Sequence, residues 1–149
     1  MKTTMFGLVG LMPDYSMIIV GANMGVSRMT REHLGISLAL KVPIFIVITK
    51  IDISPADVYE KTKETLVKIL RSPGCGRIPV IVRPDDDVDK LAQNIASDVV
   101  TPIFTISNVT GEGLPKLKEF LALLQSRIRV SGHFGPVTDP VEFLIDGVY

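Results

Sequence analysis

Apolar and polar positions along this chain follow two different periods. Tyr15 to Gly21 (YSMIIVG), Ile44 to Thr49 (IFIVIT) and Pro102 to Ser107 (PIFTIS) are short, almost continuously apolar and rich in β-branched residues. Runs of that length and composition predict buried strands. Ile78 to Arg83 (IPVIVR) reads as a further short strand. The segments between them have helical spacing. Met29 to Lys41 sets Leu34, Leu38 and Leu40 among polar residues. Ser54 to Arg71 opens with Ser54 as a helix cap and Pro55 at the first helical position. Val58, Leu66, Ile69 and Leu70 give it one apolar face, and Ser72-Pro73-Gly74 ends it. Asp85 to Ser97 predicts a helix whose acidic start suits the helix dipole. Leu114 to Arg127 predicts a last helix with Leu117, Phe120, Leu121 and Leu124 on one side. Strands alternating with helices place the chain in the α/β class, with a parallel sheet and helices on both faces.

The two ends read differently. Met1 to Met12 has an early Lys2 and an apolar run of about eight residues. That is short for a signal peptide and lacks a clean cleavage site, so an amphipathic helix opening the domain is the simpler reading. After Arg127 the pattern changes. Ser131 to Pro140 holds two glycines and two prolines and reads as a linker. Val141 to Tyr149 (VEFLIDGVY) reads as one alternating strand with no partner to pair with in the sequence, and a lone strand is not stable alone. The expected organisation is therefore 1–128 as one domain, 129–140 as linker and 141–149 as the first strand of a following β-barrel.

Composition narrows the possibilities. Lys plus Arg and Asp plus Glu each number 16 in 149 residues, so bulk charge suggests no nonspecific grip on nucleic acid or anionic membrane. The single cysteine, Cys75, excludes an internal disulfide and a Cys-based zinc cluster, and it suits a reducing, cytoplasmic setting. Gly35 to Thr49 is the most apolar stretch, but Lys41 and Pro43 break it well short of the roughly 18 residues a membrane helix needs.

Ligands of open parallel sheets bind beyond the carboxyl ends of the strands. Two strand ends here are chemically distinctive: Thr49-Lys50-Ile51-Asp52 after IFIVIT, and Ser107-Asn108-Val109-Thr110-Gly111 after PIFTI. A carboxylate at such an end can accept two parallel donors. Guanine offers that pair, its ring N1–H and exocyclic amine, and adenine does not. An unpaired carboxylate beside the wrong base is costly, so Asp52 would select guanine. The Lys50 stem can lie along the base, the backbone after Ser107 can aim N–H groups at the guanine carbonyl, and the Ser107 hydroxyl can brace Asp52.

Other clusters read as structural. Asp85-Asp86-Asp87 and Asp89 lack the glycine and distal glutamate of a calcium loop. Lys61, Lys63 and Lys68 with Glu60 and Glu64 form a salt-bridged outer helix face. His33 and His133 read as surface or structural residues, and Cys75 as an exposed loop thiol. Gly21-Ala22-Asn23-Met24-Gly25 lacks the spacing of a dinucleotide fingerprint.

TKID after a buried strand, followed some way on by a strand and SNVTGEGL, resembles the fourth and fifth guanine-binding motifs of GTPases. Asp14 to Val20 followed by Met29-Thr30-Arg31-Glu32-His33-Leu34 resembles the D-x-x-x-x-V-V and Q-T-R-E-H-L stretch of translational GTPases such as elongation factor Tu. KTTMFG, TREHLGISLAL, SPGC and ISNVTGE are most similar to the eukaryotic "GTP-binding protein one and two" subfamily.

The resemblance implies the C-terminal part of a GTPase (G) domain. It implies guanine-binding roles for Thr49, Lys50, Asp52, Ser107, Asn108 and Val109. It implies GTP or GDP with Mg2+ as ligands of the whole protein, and the ribosome, tRNA or another RNA as partners. The sequence also departs from the family. It contains no G-x-x-x-x-G-K-S/T loop and no D-x-x-G-H motif, which carry the phosphate cradle, a magnesium ligand and the water-orienting histidine. Neither nucleotide nor metal is therefore expected on these residues alone. Thr49 stands where asparagine is usual, so an amide that touches the base and braces the phosphate loop is missing. Asn108 stands where alanine is usual and must turn outward. A degenerate, non-catalytic G fold that only docks partners is the alternative. A phosphorylatable receiver domain with Asp52 as acceptor is a weaker rival, because no acidic pair is placed beside it.

Overall fold

The computed structural model describes residue 7, residues 13–97 and residues 99–126. Strand β1 (Ser16–Gly21) leads to helix α1 (Arg28–Ala39), then β2 (Ile44–Thr49) and α2 (Ala56–Arg71). Strand β3 (Ile78–Ile81), helix α3 (Val88–Asn94) and a 3-10 turn (Ile95–Ser97) follow, then β4 (Val100–Thr105) and α4 (Leu114–Leu123). The strands form one four-stranded sheet in the order β1-β2-β4-β3. All three pairings are parallel, as the alternating pattern predicts.

Strand β2 sits inside the sheet because its side chains are apolar on both faces. Ile44, Ile46 and Ile48 join Ile18, Val20, Leu34, Leu66 and Leu70 under α1 and α2. Phe45 and Val47 face the other way, against Phe104, Val88, Ile95, Leu117 and Phe120 under α3 and α4. Phe120 touches both other rings of that layer, with centroids 5.3 Å from Phe45 and 4.9 Å from Phe104. Helices thus cover both faces.

The element ends depart from the sequence reading for local reasons. Pro55, not Ser54, caps α2, and no side chain bonds the helix start. The Pro55 carbonyl accepts the Tyr59 N–H at 3.0 Å, while the Ser54 hydroxyl is spent on the Pro55 carbonyl at 3.4 Å. Helix α3 begins three residues later than its acidic run, because the aspartates capture backbone N–H groups first. The Asp86 carboxylate accepts the Arg83 N–H at 2.8 Å, and Asp87 caps the helix through the Asp89 N–H at 3.0 Å. Strand β4 starts at Val100, where pairing with Ile78 begins, and ends before Ser107. Ile106 still donates to the Ile48 carbonyl, but the Ser107 N–H turns to the Glu112 carbonyl.

Cys75 is not the exposed thiol expected: it is half-buried against the α1–α2 layer. The turn that carries it folds inward, with the Cys75 and Gly76 N–H groups both on the Ser72 carbonyl. Leu40 and Leu121 are exposed rather than core residues, at 41% and 43%. Leu40 lies at the C-cap of α1, beyond its apolar stripe. On α2, Lys63 pairs with Glu60 at 2.7 Å and Lys68 approaches Glu64 at 3.8 Å, so the charged outer face is as expected. Burial pulls the Lys63 ammonium down, but Glu60 and Tyr59 outweigh it and hold it above its ordinary value. The helix expected over Lys2–Leu11 lies outside the described residues except for Gly7. The linker 129–140 with His133, the strand 141–149 and the end of the last helix at Arg127 also lie outside them.

Gly113 is where this packing tolerates no side chain. It caps α4 with φ +72°, and a Cβ there would stand 2.0 Å from the Thr105 carbonyl oxygen. Gly113→Ala should cost more than the roughly 1–2 kcal/mol of a left-handed residue alone. Gly74→Ala, which meets nothing within 4 Å, should stay within about 0.5 kcal/mol. Urea midpoints of the two variants measure the contrast. Among the described residues β1 is paired on one side only, beside Met17 and Ile19, which are 47% and 57% exposed. The isolated 149-residue chain should therefore self-associate at high concentration; a clean monomer by light scattering would refute this.

Candidate functional site

The carboxyl ends of β2 and β4 lie side by side, since Ile48 pairs with Thr105. At the end of β2 the Thr49 carbonyl accepts the Ala22 N–H at 2.8 Å, which ties the turn after β1 to the turn after β2. Lys50 then reverses the chain in the left-handed region, φ +62°. Few residues other than glycine take that conformation; among the described residues Lys41, just past α1, is the other. Lys50 and Asp52 both emerge exposed.

Ser107 is completely buried at the end of β4. Its hydroxyl donates to Asp52 Oδ1 at 2.6 Å, across 55 residues of sequence. The same oxygen accepts the N–H groups of Val109 at 3.2 Å and Thr110 at 3.1 Å. A hydroxyl has one proton and two lone pairs, so all three are committed. The loop is closed further by the Gly111 N–H on the Ser107 carbonyl and the Ser107 N–H on the Glu112 carbonyl, both 3.0 Å. One side chain thus fixes the loop and holds the Asp52 carboxylate. Asp52 Oδ2 has no hydrogen-bond partner among the described residues. Asn108 and Val109 point to solvent from the loop, Val109 with 84% exposure, so Asn108 has the outward room it needs.

The structure thus brings Asp52 and Ser107 into contact. It sets Thr49 and Lys50 at the adjoining strand end, and Asn108 and Val109 on the loop that Ser107 closes. The other clusters stay apart from this place. The Asp85–Asp89 run shapes its own turn, and among the described residues no group of three or more His, Cys, Asp or Glu could hold a metal ion. No helix among them is long and apolar enough to cross a membrane.

Two features escaped the sequence reading. A cavity of about 300 Å³ opens behind the β4–α4 loop, lined by Val82, Arg83, Phe104, Glu112 and Lys116 among others. The second is Asn23, in the turn after β1, whose Oδ1 is buried without a hydrogen-bond partner among the described residues. Such an atom costs about 1–3 kcal/mol. The signal in the sequence was a carboxamide two residues after a buried strand.

Comparison with known proteins bears on the same residues. The family model for the elongation factor Tu GTP binding domain matches residues 5–127. GTP-binding protein 1 of Xenopus laevis is 49% identical over 149 residues, the whole chain and 22% of the relative. GTP-binding protein 2 of Homo sapiens is 43% identical over 150 positions, again the whole chain and 25% of the relative. The chain therefore spans about a fifth to a quarter of the length of these relatives. Translation elongation factor SelB from Methanococcus maripaludis, in complex with the GTP analogue GPPNHP, superposes with a TM-score of 0.52 at 22% identity. That match covers 80% of this chain and 21% of SelB. The apo form gives a TM-score of 0.50 at 27% identity, over 73% and 19%. The fold and the family thus agree: this is an elongation-factor-like G domain sequence, and the chain belongs to the elongation factor Tu GTP binding domain family.

Proposed function

We propose that these residues are the base-recognition part of a GTP-hydrolysing, translation-type factor. In this reading Asp52 accepts the N1–H and amine of guanine, and the Lys50 stem covers the flat face of the base. Ser107 holds Asp52 in place, and the backbone of Asn108 and Val109 offers N–H groups to the guanine carbonyl. Thr49 closes the site on the β2 side. The observation that supports it most is the 2.6 Å bond from a fully buried Ser107 to an exposed Asp52. A plain strand-end cap has no need of a buried, fully committed hydroxyl behind it.

The reading extends to the whole protein. Residues 1–128 would be the C-terminal part of its G domain, 129–140 a linker and 141–149 the start of a β-barrel. GTP hydrolysis would switch the contacts between these domains. Mg2+ would be held outside the described residues, and the ribosome, tRNA or another RNA would be the partner, in the cytoplasm. No G-x-x-x-x-G-K-S/T loop occurs in the 149 residues, so charge-assisted phosphate contacts are not available from them. A few base contacts at about 0.5–3 kcal/mol each do not offset a binding cost of roughly 4–15 kcal/mol.

Three outcomes follow. The 149-residue chain alone should show no micromolar affinity for fluorescent GDP and no hydrolysis; measurable micromolar binding would refute this. In the full-length protein, Asp52→Asn should weaken GDP about 100-fold or more and bring in xanthosine diphosphate, whose base presents the complementary pair. Ser107→Ala should weaken GDP about tenfold, by releasing Asp52. A full-length protein that binds no guanine nucleotide would favour the partner-docking alternative.

A further inference from the structure

The cavity behind the β4–α4 loop is separate from the proposed base site. None of Thr49, Lys50, Asp52, Ser107, Asn108 or Val109 lines it. Val82, Pro84, Phe104 and Pro115 make its apolar walls, and its volume is about 300 Å³. That is about twice the roughly 150 Å³ in which a dry apolar cavity takes up a benzene ring. A system of one or two fused rings therefore fills it.

Its walls are held by hydrogen bonds. The turn after β3 is closed by the Arg83 N–H on the Asp86 carboxylate at 2.8 Å and the Asp86 N–H on the Arg83 carbonyl at 3.1 Å. The Val82 N–H bonds the Ile103 carbonyl at 2.9 Å. Glu112 and Gly113 form another wall, and the Glu112 carbonyl takes the Ser107 N–H at 3.0 Å. Ser107 in turn holds Asp52. The loop that positions Asp52 is therefore also part of the cavity wall.

The charged residues around the cavity narrow the choice of ligand. Arg83 and Lys116 face the count of Glu112 and Glu119, two of each sign, so an ion gains no net attraction. Lys116 is already paired with Glu119 at 3.1 Å. Arg83 and Glu112 are exposed, and their charged groups have no ion-pair partner among the described residues. A guanidinium stacks on an aromatic face, and a carboxylate accepts an N–H.

We infer that this cavity binds an uncharged aromatic molecule of one or two rings carrying an N–H donor, and that its occupant strengthens the hold of the Ser107 loop on Asp52. Glu112 and Gly113 wall the cavity only while the loop is closed, so a ligand fitted to it favours the closed loop. A guanine nucleotide on Asp52 needs the same closed loop, so each ligand favours the other. That coupling rests on the base-site reading above; the cavity site does not.

Fluorine NMR of a fluoroindole titrated with the full-length protein tests the site, and fluorescent GDP titration with and without fluoroindole tests the coupling. The expected result is saturable broadening with a midpoint below about 1 mM. It should be lost in Val82→Phe, which fills the cavity from within, and in Glu119→Trp, which covers it from an exposed position outside the core. Saturating fluoroindole should tighten GDP about fivefold in the natural protein and in neither variant. Absence of saturable binding, or binding that survives both substitutions, would overturn the site. Binding with unchanged GDP affinity would overturn the coupling. If fluoroindole binds and GDP does not, the base-site reading has failed and the coupling with it, while the cavity site is upheld.

Discussion

Burial of β2 on both faces is the constraint on which the rest of this structure depends. Its isoleucines at 44, 46 and 48 and its Phe45 and Val47 are all nearly inaccessible to water. A strand apolar on both sides needs a layer over each face and a strand along each edge. That requirement sets α1 and α2 on one side, α3 and α4 on the other, and β1 and β4 as neighbours. The three phenylalanines of the α3–α4 layer then fix how α4 lies, because Phe120 must reach both Phe45 and Phe104. Gly113 follows from the same demand. Only a residue without a Cβ lets α4 start so close to the Thr105 carbonyl.

The site is a by-product of that packing, arranged at its polar end. Parallel strands all end on the same side, so Thr49 and Thr105 deliver their following turns to one place. The tight start of α4 forces a short, closed loop between Ser107 and Gly113. Closure buries Ser107, and burial obliges its hydroxyl to find partners within the protein. It finds two loop N–H groups and one carboxylate from the next strand. Loop shape and Asp52 orientation are therefore one property, and a change in either is felt by the other.

The alternation of apolar runs made the sheet class legible, and β2 was the clearest element because its pattern reflects burial rather than one amphipathic face. Element ends were less legible. Ser54 and the aspartates at 85–87 have good capping chemistry, but capping competes with bonds to nearby backbone that only the folded geometry decides. Asp52 and Ser107 were legible as a candidate pair because each lies in the turn just after an apolar run. Cys75 was misread because a glycine-flanked cysteine looks like a surface loop, whereas the inward fold of its turn depends on core atoms distant in sequence. Asn23 was passed over because only the folded turn after β1 buries its side-chain oxygen.

Exposure divides the strand-end residues into two kinds, and the division has a physical reason. Ser107 is buried and fully bonded, while Asp52, Lys50, Asn108 and Val109 face solvent. A group that must exchange water for a ligand gains nothing from being buried beforehand, since desolvating a lone carboxylate is expensive. A group that must hold another in position is best buried, because its own hydrogen bonds are then not shared with water and leave it little freedom. On that argument, and in the base-site reading proposed above, precision at this strand end would come from Ser107 and selectivity from Asp52. The other solvated groups would add affinity only as far as a ligand covers them, which a base without its phosphates would do poorly.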